Sequence, residues 1–183
     1  GNTVQRQKAL GAIWEQVKDE KDNAWGCYIK GRMLMILGKP AHFCFMYLHK
    51  AIQLDPTIYQ AMTTAGLLLR LSKKYDEALD MLRRAEQTVR DDAQSSAKAR
   101  AACAADVGGL LQAMGNKEEA EVALRRAIAD DNSYWQAYAS LSVLQEQLGS
   151  TDDALATLTD AIGRLPKPDP KAGYDKDELQ CLF

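Results

Sequence analysis

An all-α fold built from repeated antiparallel helix pairs is what this sequence predicts, and three observations carry the prediction. The stretches YDEALDMLRRAEQTVR from Tyr75, KEEAEVALRRAIADDN from Lys117 and TDDALATLTDAIGRLP from Thr151 are near-copies of one another. Their A-x3-L cores superpose at Ala78/Leu82, Ala120/Leu124 and Ala154/Leu158, with a weaker copy at Cys44/Leu48. An alanine follows each core three residues later, and these four, Ala51, Ala85, Ala127 and Ala161, are spaced by 34, 42 and 34 residues. Such a period marks one supersecondary unit that cannot bury its apolar face alone and so stacks on copies of itself.

The elements follow in order. Leu10, Ile13, Trp14 and Val17 keep the i, i+3, i+4, i+7 spacing of an amphipathic helix within residues 1–22. It is either a leftover second helix or an N-terminal cap. Four two-helix units are expected at 25–58, 59–92, 101–134 and 135–168. Small residues such as Ala78, Ala120 and Ala154 let the paired backbones approach, and the leucines beyond them fill the gap between units. Gly115 and Gly149 stand where a left-handed helix end is needed, with Asn116, or Ser150 and Thr151, placed to cap the next helix. Pro56 and Pro166 stop second helices.

The long interval carries eight extra residues (42 against 34), which fall in TVRDDAQSSAKARAA, with 93–100 taken as the insertion. Ser95 or Ser96 can cap a helix through AKARAACAADVGGLLQAM, so the insertion can lengthen helices rather than form a loop; it is either a protruding contact element or an ordinary tolerated insertion. In 169–183, PKPDP imposes extended backbone, and Asp175-x-x-Glu178 has the form of a capping box ahead of Leu179, Leu182 and Phe183. A short C-terminal helix over the last unit is expected. Otherwise those apolar residues serve a partner or a continuation of the chain.

Composition narrows function by exclusion. At 183 residues, with 46% apolar, 26% charged and a net charge of −2, the chain fits one soluble domain with no global bias toward nucleic acid or acidic lipid. Cys27, Cys44, Cys103 and Cys181 form no C-x-x-C pair, which suits a reducing compartment. No apolar run is long enough to span a membrane, and GNTVQRQK lacks the apolar core of a signal peptide, so a cytoplasmic location is expected. KDEL at Lys176 to Leu179 is followed by four residues, and Cys181 is third from the end, so neither has the form of an address.

No catalytic residue, metal ligand set or cofactor motif emerges. His42 and His49 are seven apart on one helix, about two turns, too far to share a metal unaided. Asp91-Asp92, Asp130-Asp131 and Asp152-Asp153 lie near helix ends, where caps and first-turn acids belong. Arg83-Arg84 and Arg125-Arg126 suit solvated faces of second helices, a nucleic-acid patch being the other reading. Gly108-Gly109 sits within a helix and lacks the phosphate-loop pattern.

From roughly Trp25 to Pro166, the 34-residue unit with its A-x3-L core resembles the tetratricopeptide repeat family. The places of that family's W-x2-L-G-x2-Y signature hold Tyr28, Gly31 and Met35; Met62, Ala65, Gly66 and Leu69; Ala104, Val107, Gly108 and Leu111; and Tyr138, Leu141 and Gln145. Tryptophan is missing from the first place, and the glycine is kept as Gly66 and Gly108. The resemblance implies a right-handed superhelical solenoid whose first helices line a concave groove for a peptide or helix of another protein. Carried onto this chain, the groove places are Lys30, Met33 and Leu37; Thr63, Thr64, Leu67 and Arg70; Ala102, Ala105, Asp106 and Gly109; and Gln136, Ala139, Ser140 and Val143.

The same resemblance implies a non-catalytic adaptor or scaffold subunit of a larger complex, or alternatively a regulatory or targeting domain of a larger enzyme. An RNA-binding helical repeat is disfavoured by the neutral groove. Chaperone-binding relatives clamp a terminal carboxylate with lysine, arginine and asparagine. Here those places hold Ile29, Met33, Thr64, Ala102 and Asp106, or, starting one unit later, Thr63, Leu67, Asp106, Gln136 and Ser140. Neither register supplies the cations, so chaperone C-terminal tails are not expected as partners. Met33, Leu37 and Leu67 mark an apolar end of the groove. Ala102, Ala105 and Gly109 form a stripe of small residues that either admits a partner backbone or accommodates the neighbouring unit.

Overall fold

The computed structural model describes residues 23–164, together with 5, 8, 11–13, 15 and 16. Eight helices run through the continuous stretch: α1 (Ala24–Ile36), α2 (Ala41–Leu54), α3 (Tyr59–Leu71), α4 (Tyr75–Asp91), α5 (Ala97–Met114), α6 (Lys117–Asp130), α7 (Trp135–Gln147) and α8 (Thr151–Arg164). Residues 5, 8, 11–13, 15 and 16 are helical and exposed, whereas Leu10, Trp14 and Val17 of the expected N-terminal helix lie outside the described residues. So does the expected C-terminal helix.

Consecutive helices pack as pairs, α1 with α2, α3 with α4, α5 with α6 and α7 with α8. Beyond neighbours in sequence, backbones also approach between α1 and α3, α3 and α5, and α5 and α7; among the described residues, no two second helices approach in this way. First helices therefore crowd together while second helices splay, and the stack must curve with the first helices inside. The concave face is theirs.

Close pairing depends on missing side-chain atoms. A Cβ at Gly31, Gly66 or Gly108 would lie 2.8, 2.7 or 2.8 Å from the side chain of Leu48, Leu82 or Leu124. The glycine signature thus survives in three units rather than two. In the first unit it escapes a fixed spacing because Gly31 and Leu48 are 17 residues apart, one more than in the other two pairs. The extra residue is in the turn, where Leu37 to Pro40 separate α1 from α2 but only Ser72 to Lys74 separate α3 from α4.

Turns within the pairs repeat one geometry. At Gly38, Lys73, Gly115 and Gly149 the backbone takes φ of 65, 60, 85 and 80°. Each of these N–H groups donates to the carbonyl three residues back, and the next N–H donates to the carbonyl five back, as with Gly115 to Gln112 and Asn116 to Leu111. This pattern satisfies two carbonyls that a helix end leaves open. Asn116 makes no side-chain capping bond, contrary to expectation. The Schellman turn already sets the chain's direction there.

Connections between pairs use aspartate. Asp55 accepts from the N–H and hydroxyl of Thr57 at 2.8 and 2.6 Å, and Asp131 accepts likewise from Ser133 at 2.9 and 2.7 Å. These bonds hold both carboxyls below the usual carboxylate range. Asp92 does the same work for Gln94 and Ser95. Asp91 and Asp130 end α4 and α6, so of the three acidic doublets only Asp152-Asp153 occupies a first turn.

The eight-residue insertion is spent on helix. At 17 residues, α4 is three longer than the 14-residue second helices, and α5 at 18 is five longer than the 13-residue first helices. Ser96, not Ser95, caps α5 by accepting from the Ala99 N–H at 3.1 Å.

Candidate functional site: the concave groove

Because α1, α3, α5 and α7 line the inner face, one stripe of each looks into the groove. Near its centre is a depression of about 230 Å³ walled by Arg32 and Met35 of α1, Thr63, Leu67 and Arg70 of α3, and Asp106 of α5. The floor is the α3–α4 contact of Gly66 with Leu82.

The first unit's groove places are shifted from expectation. Lys30 and Met33 are 3% and 4% exposed and point into the interior, where the Lys30 ammonium lies 5.9 Å from the centre of the Tyr47 ring. Leu37 follows the end of α1 and is exposed. The longer α1–α2 turn moves the groove stripe back along α1, so Arg32 and Met35 line the groove where Met33 and Leu37 were expected. The signal was present: Gly31, not Arg32, is the residue small enough to meet Leu48.

On α3, Thr63 and Thr64 turn their hydroxyls back to the Gln60 carbonyl at 3.1 and 2.7 Å, leaving their methyl groups as wall. Leu67 is half-buried and Arg70 exposed. On α5, Ala102, Ala105 and Gly109 are half-buried. A Cβ at Gly109 would meet nothing within 4 Å, whereas one at adjacent Gly108 would collide with Leu124. Gly108 is a packing residue; Gly109 is not. Neighbouring units therefore do not account for Gly109. On α7, Gln136 and Val143 are exposed, with Ala139 and Ser140 half-buried.

Electrostatics single out the centre. Asp106 is exposed on the groove face, yet the protein crowded around it disfavours its charged form and pushes its carboxyl up to about 6, the nearby Arg70 guanidinium only partly opposing this. Asp106 and Arg70 form no hydrogen bond or close ion pair among the described residues. The Arg32 guanidinium donates to the Tyr28 hydroxyl at 3.1 Å and lies 5.9 Å from that ring's centre, and Trp25 meets Tyr28 edge-on at 5.7 Å.

Cys27, Cys44 and Cys103 are buried and form no disulfide, and burial raises the Cys103 thiol to about 12, which keeps it protonated at neutral pH. His42 and His49 are both exposed on α2. Among the described residues, no group of three or more His, Cys, Asp or Glu side chains is placed to hold a metal ion, and no helix is long and apolar enough to cross a membrane.

No protein-family model and no curated protein matches the chain. Solved structures do. MamA is 22% identical with a TM-score of 0.68 over 98% of this chain and 96% of that one. YrrB, described as a TPR protein with an unusual peptide-binding site, is 19% identical with a TM-score of 0.63 over 85% of this chain and 75% of its own. The Cut9-Hcn1 hetero-tetramer of the APC/C gives 16% identity and a TM-score of 0.74 over 91% of this chain and 32% of that one. At such identities the likeness establishes architecture.

Proposed function

We propose, for a chain with the tetratricopeptide-repeat fold, that it is a non-catalytic adaptor or scaffold subunit, cytoplasmic, which holds a peptide or helical segment of another protein in its concave groove. One observation carries this reading: Gly109 leaves open space on the groove wall that no packing contact uses, beside charged side chains with unspent hydrogen-bonding capacity. A glycine inside a helix costs about 1 kcal/mol relative to alanine, and nothing within the unit offsets that cost. Close approach by an external backbone does. The fold adds support, since YrrB is described by its peptide-binding site and Cut9 was solved within a complex.

The test fills that space. Gly109→Leu should raise helix stability by roughly 0.5–1 kcal/mol, because the new side chain meets open solvent. It should also remove the partners that wild-type protein captures by affinity purification and mass spectrometry. Val122→Ser, on the convex side of α6, is the control and should keep them. Retention of every partner by Gly109→Leu removes the groove from consideration.

A further inference from the structure

We infer that the central depression, where Arg32 of α1 and Arg70 of α3 stand opposite Asp106 of α5, is a seat for an acidic side chain of the bound segment. This rests on the groove reading above and names the chemistry of its ligand. A guanidinium offers five N–H donors in a planar fork that matches a carboxylate. Arg70 spends none of its donors on another described residue, and Arg32 is recorded giving one, to Tyr28. Two cations against one carboxylate leave the depression net positive, so a basic side chain reaching Asp106 would face two repulsions. An acidic one gains two forks and meets one like charge.

That like charge makes the seat responsive to pH. The charged groups that line the depression with Asp106 are Arg32 from α1 and Arg70 from α3, of which Arg70 acts on its carboxyl, while the titratable Cys103 lies one turn back on α5 and Tyr134 just ahead of α7. The arginines stay protonated throughout, and burial keeps both Cys103 and Tyr134 neutral below pH 8, so Asp106 alone changes state. An incoming carboxylate favours the protonated form of Asp106. Binding therefore takes up a proton, and affinity must rise as pH falls through the range near 6 where Asp106 titrates.

The experiment selects displayed random peptides with blocked C termini against the immobilised full chain, then titrates the selected peptides, fluorescein-labelled, by anisotropy. Wild type is expected to enrich peptides sharing one Asp or Glu position, and Arg70→Gln to lose that preference while circular dichroism stays unchanged. Affinity should rise about sixfold from roughly pH 7.5 to 5.5, the share of one pK unit of coupling that this window captures. Asp106→Asn should abolish that dependence and bind as tightly at the higher pH as wild type does at the lower. Enrichment of Lys or Arg that depends on Asp106 overturns the acidic seat while leaving the groove standing. An affinity flat with pH, or unmoved by both Arg32→Gln and Arg70→Gln, also overturns it. Peptides that bind Gly109→Leu as well as wild type, or no enrichment at all, count against the groove itself.

Discussion

Among the described residues, Lys73 is the one that occupies a glycine's place without being glycine. Its φ of 60° matches the left-handed turn that Gly38, Gly115 and Gly149 supply elsewhere, and an L side chain there costs about 1 kcal/mol. Among the described residues, no partner of the Lys73 ammonium offsets the strain, for it is the neighbouring Lys74 that pairs with Glu77 at 2.9 Å. Lys73→Gly should therefore stabilise the protein by roughly 0.5–1 kcal/mol, the gain reduced by the freer unfolded chain, as a higher urea midpoint with unchanged slope. The same substitution at neighbouring Lys74, which takes no such φ, should give no gain. Sequence alone predicted Gly115 and Gly149 because glycine declares a left-handed turn. It could not predict Lys73, since lysine is common in turns of every kind and only a backbone angle separates this one.

Among elements, the repeated LRR triplets show where legibility ends. At 82–84 and 124–126 the letters are identical, and both arginine doublets were expected on solvated faces. All four are exposed, as expected, yet Arg125 and Arg126 take different partners. Arg126 reaches back from α6 to Glu86 of α4 at 2.7 Å, whereas Arg125 pairs within its own helix with Glu121 at 2.6 Å. Arg83 likewise bridges to Glu119 at 3.1 Å, and Arg90 to Asp130 at 2.6 Å. These long side chains span the gap between second helices whose backbones do not meet, a cleft of about 530 Å³. Glu86, 7% exposed, is held by Arg90 and Arg126 together, so removing one strands part of a buried charge. Arg126→Ala should cost about 1–2 kcal/mol by denaturant titration, Arg125→Ala no more than about 0.5 kcal/mol. Equal costs would mean that the cross-helix bridge adds nothing. Second helices were legible because their alanines and leucines are fixed by contact on both sides. First helices were less so, since one stripe faces the groove and is free to vary, and a single extra turn residue before α2 sufficed to put Met33 in the expected groove in place of Arg32.

For the molecule as a whole, the decisive property is that each unit's core is finished by the next. Leu48, Leu82 and Leu124 occupy equivalent places and are 0%, 4% and 0% exposed, yet Leu158, the fourth of the series, is 41% exposed, and its helix also bares Leu155 at 59% and Ile162 at 68%. The letters are the same in all four places; position in the stack decides what they are worth. In a quasi-linear array, stability is close to a sum of unit and interface terms, so a residue that seals an interface should cost far more than its copy at an unsealed end. Leu124→Ala should destabilise by about 2–5 kcal/mol, the range for a large-to-small change in a closed core. Leu158→Ala, losing side-chain area that is already partly wet, should cost about 1 kcal/mol or less. Urea titrations of the two variants measure the contrast, and hydrogen exchange locates it, because amides of α8 should open more readily than those of α3 to α6. Were the two costs equal, the open face of α8 would have to be covered in solution.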